Sequence, residues 1–275
     1  MSKFFKLFNV STPFDGTNRF QTSYLFAPMV LAIIRLTIST YIFTTLVYRL
    51  VRAGIWSPAD VRSHWSYFTN LTYWGQGFYF MFAGFHTFVY ARKGIAPLQK
   101  WPRILQLLHG VLYTTVCTYA LVVTIVYWAL IAPDSAPGDG PFASVFSTWS
   151  NISVHAMNTG FALFEIFFTR TERPPWIHMC FTVVFLAMYL GLAYVTYATQ
   201  GFYTYNFLNP GNGVGSLVEY IFGIFAASLI IFVVVWLLIW FREWVAARLS
   251  LEGKLAQSHV GYTAGRRDKE ELPEA

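Results

Sequence analysis

Charge is scarce in this sequence. Only 12% of its 275 residues are Asp, Glu, Lys or Arg, about half the share found in an ordinary soluble domain. With 56% apolar residues it holds more hydrophobic surface than a globule of this length can bury, so a soluble fold is excluded and lipid must solvate the excess. Cysteine is nearly absent: Cys117 and Cys180 stand alone, and helical rise separates them by ~14 Å of depth, too far for a disulfide. Neither has metal-ligand spacing, and both are expected to be small buried apolar side chains. The stretch from Met1 to Phe20 has no apolar run ending in small residues, so the first apolar segment is expected to be retained as a signal anchor. Matching Gly/Pro-broken segments of the transporter kind are also missing, which favours a single helical bundle.

Long apolar runs are what the chain has instead. Six of them, at about 25–51, 66–90, 104–131, 147–168, 176–199 and 216–240, each reach the roughly 20 residues needed to cross a bilayer. The fold expected is an all-α integral membrane protein, a six-span bundle over 25–241 preceded by a cytoplasmic segment 1–24. A charged, partly disordered cytoplasmic tail is expected over 242–275.

The formal charge of +6 is arranged for membrane orientation and not for nucleic acid. Lys and Arg cluster before the first span, between the second and third, between the fourth and fifth, and after the sixth. Segments 132–146 and 200–215 contain neither residue and are read as exoplasmic, which places both termini in the cytoplasm. Arg49, Arg52 and Arg62 in the first loop break the rule and are accepted as one violation.

Polar residues inside the spans carry the functional signal, because hydrocarbon tolerates them only for a reason. At 100° per residue, Asn151, His155, Asn158 and Glu165 fall within about 80° of one another, so the fourth span has a polar face that cannot meet lipid. Thr69, Thr72, Tyr73 and Gln76 form a similar stripe in the second span. Thr69 and His155 lie at equal depth inside the exoplasmic surface, as a hydroxyl nucleophile and its base require. Spacing by itself leaves two further readings open: a Thr hydroxyl bonded to its own helix, and a His bridging two helices. Glu165, ten residues beyond His155, is ~15 Å deeper, and its natural partner is Arg35 in the first span, a buried structural ion pair. His86 and His109 make too thin a ligand set for a metal, and no cofactor is expected.

These residues resemble the androgen-induced and androgen-dependent family of six-span membrane proteins. The likeness rests on Arg35, on Trp65-Ser66-Tyr67-Phe68-Thr69, on Trp149 with Asn151 and His155, on Glu165, and on Gly201-Phe202-Tyr203-Thr204-Tyr205-Asn206-Phe207-Leu208. The resemblance implies a threonine hydrolase of fatty acid esters of hydroxy fatty acids, with Thr69 as nucleophile, His155 as base, and a lipid substrate arriving from the bilayer of the endoplasmic reticulum or another endomembrane. Asn151 is expected to orient His155, and Asn70, Asn158 and Tyr205 are the candidate oxyanion donors. Where the family has Asn-His-x-x-His-Thr, this chain has Asn151-Ile152-Ser153-Val154-His155-Ala156, and Thr72 stands where an acidic residue follows the threonine. The phrase Tyr67-Phe68-Thr69-Asn70 also resembles the rolling-stone group of membrane proteins. That likeness implies the alternative of a non-catalytic adhesion or scaffold protein, and a small lipid transporter is a further alternative.

Overall fold

The apolar runs form helices, and Thr69, Gln76, His155, Asn158 and Glu165 within them are buried. The computed structural model describes residues 3–134, 140–251 and 255, and their long elements are six helices. α1 (Pro28–Trp56) opens with Pro at its first turn, where no N–H is needed, and Pro58 follows its end. α2 (Phe68–Lys93) stops at Gly94, whose φ of 74° suits a residue without Cβ. α3 runs Arg103–Ile131, its last turn widened into a π-helix at Tyr127–Ile131. α4 spans 145–168 and carries a second π segment, Ile152–Met157, in its middle. α5 (His178–Gln200) ends on left-handed Gly201, and α6 (Val214–Arg248) closes the bundle.

Four of these helices, α1, α3, α5 and α6, are long and apolar enough to cross a membrane. The other two are of comparable length, but α2 is diluted by Thr69, Asn70, Gln76 and His86, and α4 is interrupted by its π turn. α1 and α2 approach most closely. A Cβ on Gly77 would lie 2.9 Å from Ile42, and one on Gly84 would lie 2.9 Å from Leu36, so these two glycines allow the backbones together as small residues do in membrane bundles. The core between the helices is aromatic and aliphatic, with Ile42, Leu46, Tyr73, Phe80, Tyr113 and Val235 at its centre.

At the centre of that core Arg35 and Glu165 meet, both fully buried. Arg35 donates to Glu165 through Nε at 2.7 Å and through Nη2 at 2.8 Å, a two-pronged pairing. Its Nη1 donates to the Phe20 carbonyl and to the Thr87 hydroxyl, each at 2.7 Å, and Tyr79 donates to Glu165 at 3.0 Å. α1, α2, α4 and the N-terminal segment thus converge on one charge pair.

The segment before α1, expected from sequence as a cytoplasmic stretch outside the bundle, is part of the fold. Phe8, Val10 and Phe14 are buried against Leu98, Leu107 and Val111. Asp15 accepts the Arg19 and Phe20 N–H groups at 2.7 and 3.1 Å, which turns the chain so that the Phe20 carbonyl reaches Arg35. Ser23 pairs with Thr169 in a short antiparallel bridge, tying this segment to the end of α4. The last helix continues seven residues past 241, and Arg242, expected in a cytoplasmic tail, is buried, donating to Ile166 at 2.9 Å and Thr171 at 2.6 Å. Arg242 anchors α6 to the end of α4 because those terminal carbonyls have no helical partner. Disorder was expected at the end of the tail, and residues 256–275 lie outside the described residues. Cys117 is buried but Cys180 is exposed on the outer side of α5, which corrects the reading of both as buried.

Truncating one member of the central pair strands a charge where water cannot reach it. We expect Arg35→Leu and Glu165→Leu each to cost about 3–5 kcal/mol and the double substitution to recover part of that loss, measured as thermal stability of detergent-solubilised protein. Losses that simply add would show that the two charges have separate partners.

Candidate active site

One end of the bundle, where α1, α3 and α5 finish and α2, α4 and α6 begin, holds two adjoining cavities. The first is apolar, about 260 Å³, and lined by Val122, Val126, Leu186, Leu190, Ile221 and Phe225 among others. The second is polar, about 400 Å³, and lined by residues of the α1–α2 connection, by Tyr127 and by His155. Thr69, Ile131 and Tyr205 line both, so Thr69 stands at the boundary between an oily compartment and a polar one.

Thr69 is the second residue of α2. The opening N–H groups of a helix have no intrahelical acceptor and present the positive end of its dipole. Tyr67, in the capping position, provides no side-chain bond to them. The Tyr205 hydroxyl lies near the Phe68 and Thr69 N–H groups and the Thr69 and Tyr189 hydroxyls. Threonines farther along the helices, such as Thr40, Thr72, Thr87 and Thr196, bond back to the carbonyl four residues earlier. Thr69 has no helical carbonyl behind it, because its helix has only just begun, and its hydroxyl is left to the cavity.

His155 arrives from the π segment of α4. Its ring stacks flat on Tyr127, with centroids 3.4 Å apart and planes 4° from parallel, and Tyr127 opens the π turn of α3. Two widened turns therefore face each other and aim a phenol and an imidazole into the same polar cavity, in keeping with the frequent placement of π-bulges at functional sites. The Thr124 hydroxyl braces this arrangement, donating to the His155 carbonyl and meeting the Thr159 hydroxyl at 2.7 Å. His155 Nδ1 is buried without a hydrogen-bond partner.

Asn70 is locked in place beside Thr69. Its amide donates to the His64 carbonyl at 2.8 Å, and its own oxygen accepts from Arg49 Nη1 at 2.9 Å. His64 Nε2 in turn accepts from the Trp74 indole at 3.0 Å, so a neutral His64 carries its proton on Nδ1. Burial, with the Arg49 charge adding to it, lowers the His64 imidazole to about 4.

Of the residues singled out from sequence, Thr69, Asn70, His155 and Tyr205 line the polar cavity together. Asn158 lines a neighbouring cavity instead; its carbonyl accepts from Gln76 at 2.9 Å while its amide nitrogen stays unpartnered. Asn151 is turned away: its amide donates to Pro141 at 3.3 Å and to Ser147 at 3.2 Å, not to His155. The π segment explains the difference, because a wider turn rotates Asn151, His155 and Asn158 off the common stripe that an unbroken α-helix would give them. Sequence reading overlooked Arg49, Tyr127 and His64. The signal for Arg49 was visible as a breach of the loop-charge rule. Among the described residues no three His, Cys, Asp or Glu side chains gather as a metal site.

The chain was also compared with known proteins. A family model described as FAR-17a/AIG1-like protein matches residues 26–243. No curated protein and no solved structure matches the chain.

The His64 imidazole supplies a pH test. Between about 6.5 and about 4 the unfolded chain binds a proton at His64 that the folded chain refuses, so stability falls as pH drops through that window. We expect His64→Gln, which keeps an acceptor for Trp74, to flatten the decline in melting temperature between pH 7 and pH 4.5. An identical slope in the variant would place the acid sensitivity elsewhere.

Proposed function

The chain belongs to the FAR-17a/AIG1-like family, and we propose that it is an intramembrane lipid ester hydrolase acting on fatty acid esters of hydroxy fatty acids. The observation that carries this reading is the position of Thr69: its hydroxyl is free of its own helix, it shares a polar cavity with His155, and it also borders an apolar cavity fit for an acyl chain.

In this reading the ester enters sideways from the bilayer with its acyl chain in the apolar cavity. The Thr69 Oγ attacks the ester carbonyl as its proton passes to His155, and the carbonyl oxygen becomes an oxyanion. In this reading the N–H groups at the start of α2 and the nearby Tyr205 hydroxyl stabilise that charge. His155 then gives the proton to the departing alkoxide, which leaves as the hydroxy fatty acid, and the acyl group remains on Thr69. A water molecule, losing its proton to His155, attacks the acyl-threonine; His155 returns the proton to Thr69, and the fatty acid is released. No cofactor takes part. Flat stacking on Tyr127 holds the imidazole plane through both half-reactions.

The topology proposed with this mechanism is six crossings with both termini cytoplasmic, in the endoplasmic reticulum or another endomembrane. The site then opens at the exoplasmic end, and Phe146, Thr204 and Tyr205, from the two Lys- and Arg-free segments, line it. A C-terminal tag should be reachable only from the cytoplasmic side of sealed vesicles, and labelling from the lumenal side would overturn the orientation.

A fluorophosphonate probe should label the wild-type protein in membranes, and Thr69→Ala should abolish both labelling and ester hydrolysis. His155→Ala should lower hydrolysis by about 10²- to 10⁴-fold. A folded wild-type protein that neither reacts with the probe nor cleaves such esters would favour a non-catalytic or transport role.

A further inference from the structure

We propose that Arg49 is a specificity-determining residue that binds a free carboxylate of the lipid in the polar cavity; this rests on the hydrolase reading above. Arg49 lies in the upper part of α1, is only partly exposed, and borders the same cavity as Thr69 and His155. A guanidinium offers five N–H donors, yet among the described residues its one hydrogen bond is the Nη1 contact with Asn70. Its Nε and Nη2 are not sealed within the protein. Among the described residues no carboxylate pairs with it, in contrast to Arg35, Arg173 and Arg242, each of which has a Glu within 4 Å.

A cation withdrawn from water calls for a counter-charge, and the cavity itself provides little. Among the described residues its one acidic lining residue, Asp60, is exposed on the short helix Pro58–Ser63. Against it stand Arg49 and Arg52, and Arg52 lies over the Phe146 ring with its guanidinium carbon 4.2 Å from the centroid. The cavity is therefore positive in balance, and an anionic ligand completes it. Asn70, held by the His64 carbonyl, fixes one edge of the guanidinium and leaves the other free for a planar carboxylate, the geometry Arg binds two-pronged. An ester bearing a free carboxylate on its alcohol half would place that group on Arg49 while its carbonyl reaches Thr69 and its acyl chain occupies the apolar cavity. The same feature accounts for Arg49 and Arg52 near the end of α1, where the orientation rule disfavours basic residues.

The test uses full-length protein in membranes and two substrates that differ in one group: an acyl ester of a hydroxy fatty acid as the free acid, and the same molecule as its methyl ester. Wild type should favour the free acid in kcat/KM by on the order of 10- to 100-fold. Arg49→Gln should lose that preference while still cleaving the methyl ester, and Arg49→Lys should keep part of it. Arg52→Glu, which brings a carboxylate into the same cavity without altering Arg49, covers the case in which Arg49→Gln does not fold, and it too should erase the preference. In parallel, thermal shift with a long-chain fatty acid against its methyl ester reads anion binding without turnover. An Arg49-dependent shift in a protein that hydrolyses neither ester would sink the hydrolase reading and leave the carboxylate site standing. Undiminished acid preference and an unchanged fatty-acid shift in Arg49→Gln would overturn the proposal.

Discussion

The buried pairing of Arg35 with Glu165 is the constraint from which the bundle takes its register. Two full charges with no exposure exist inside a protein only when each is met by the other and by further hydrogen bonds. Here the remaining donor of Arg35 is taken by the Phe20 carbonyl and Thr87, and Glu165 gains Tyr79. That requirement fixes the relative depth of α1, α2 and α4 and reaches beyond the helices. The N-terminal segment has to fold under the bundle to deliver one carbonyl, and the end of α4 is held from two further directions by the Ser23–Thr169 bridge and by Arg242. α1 and α2 can then lie close only where Gly77 and Gly84 leave room.

With the lower half of α4 held in this way, its upper half has one local freedom, the π segment. A widened turn leaves backbone groups poorly paired, and the Thr124 hydroxyl compensates at the His155 carbonyl. The facing π turn of α3 brings Tyr127 flat against the imidazole. Rigid charge pairing at one level and a braced distortion above it together set the His155 ring at the cavity that Thr69 borders. The start of α2 contributes the rest: a helix beginning supplies free N–H groups and releases the Thr69 hydroxyl from the backbone bond that threonines deeper in the bundle make.

The chain by itself determined the membrane character, the all-α class and the six long helical segments, because apolar run length and the alternation of basic loops are properties of composition and position. It also marked Thr69 and His155, since a polar group in an apolar run stands out wherever its helix ends up. Only the tertiary structure decided the rest. It divided the fourth span's stripe, sending Asn151 towards Ser147 and Asn158 to a separate cavity, because periodicity presumes a regular helix and cannot register a π turn. It turned the loop-charge violation at Arg49 into part of a cavity wall, and it drew residues 3–24 and Arg242 into the packing, because what satisfies a buried carbonyl or guanidinium is a neighbour distant in sequence, and distance along the chain says nothing of closeness in space.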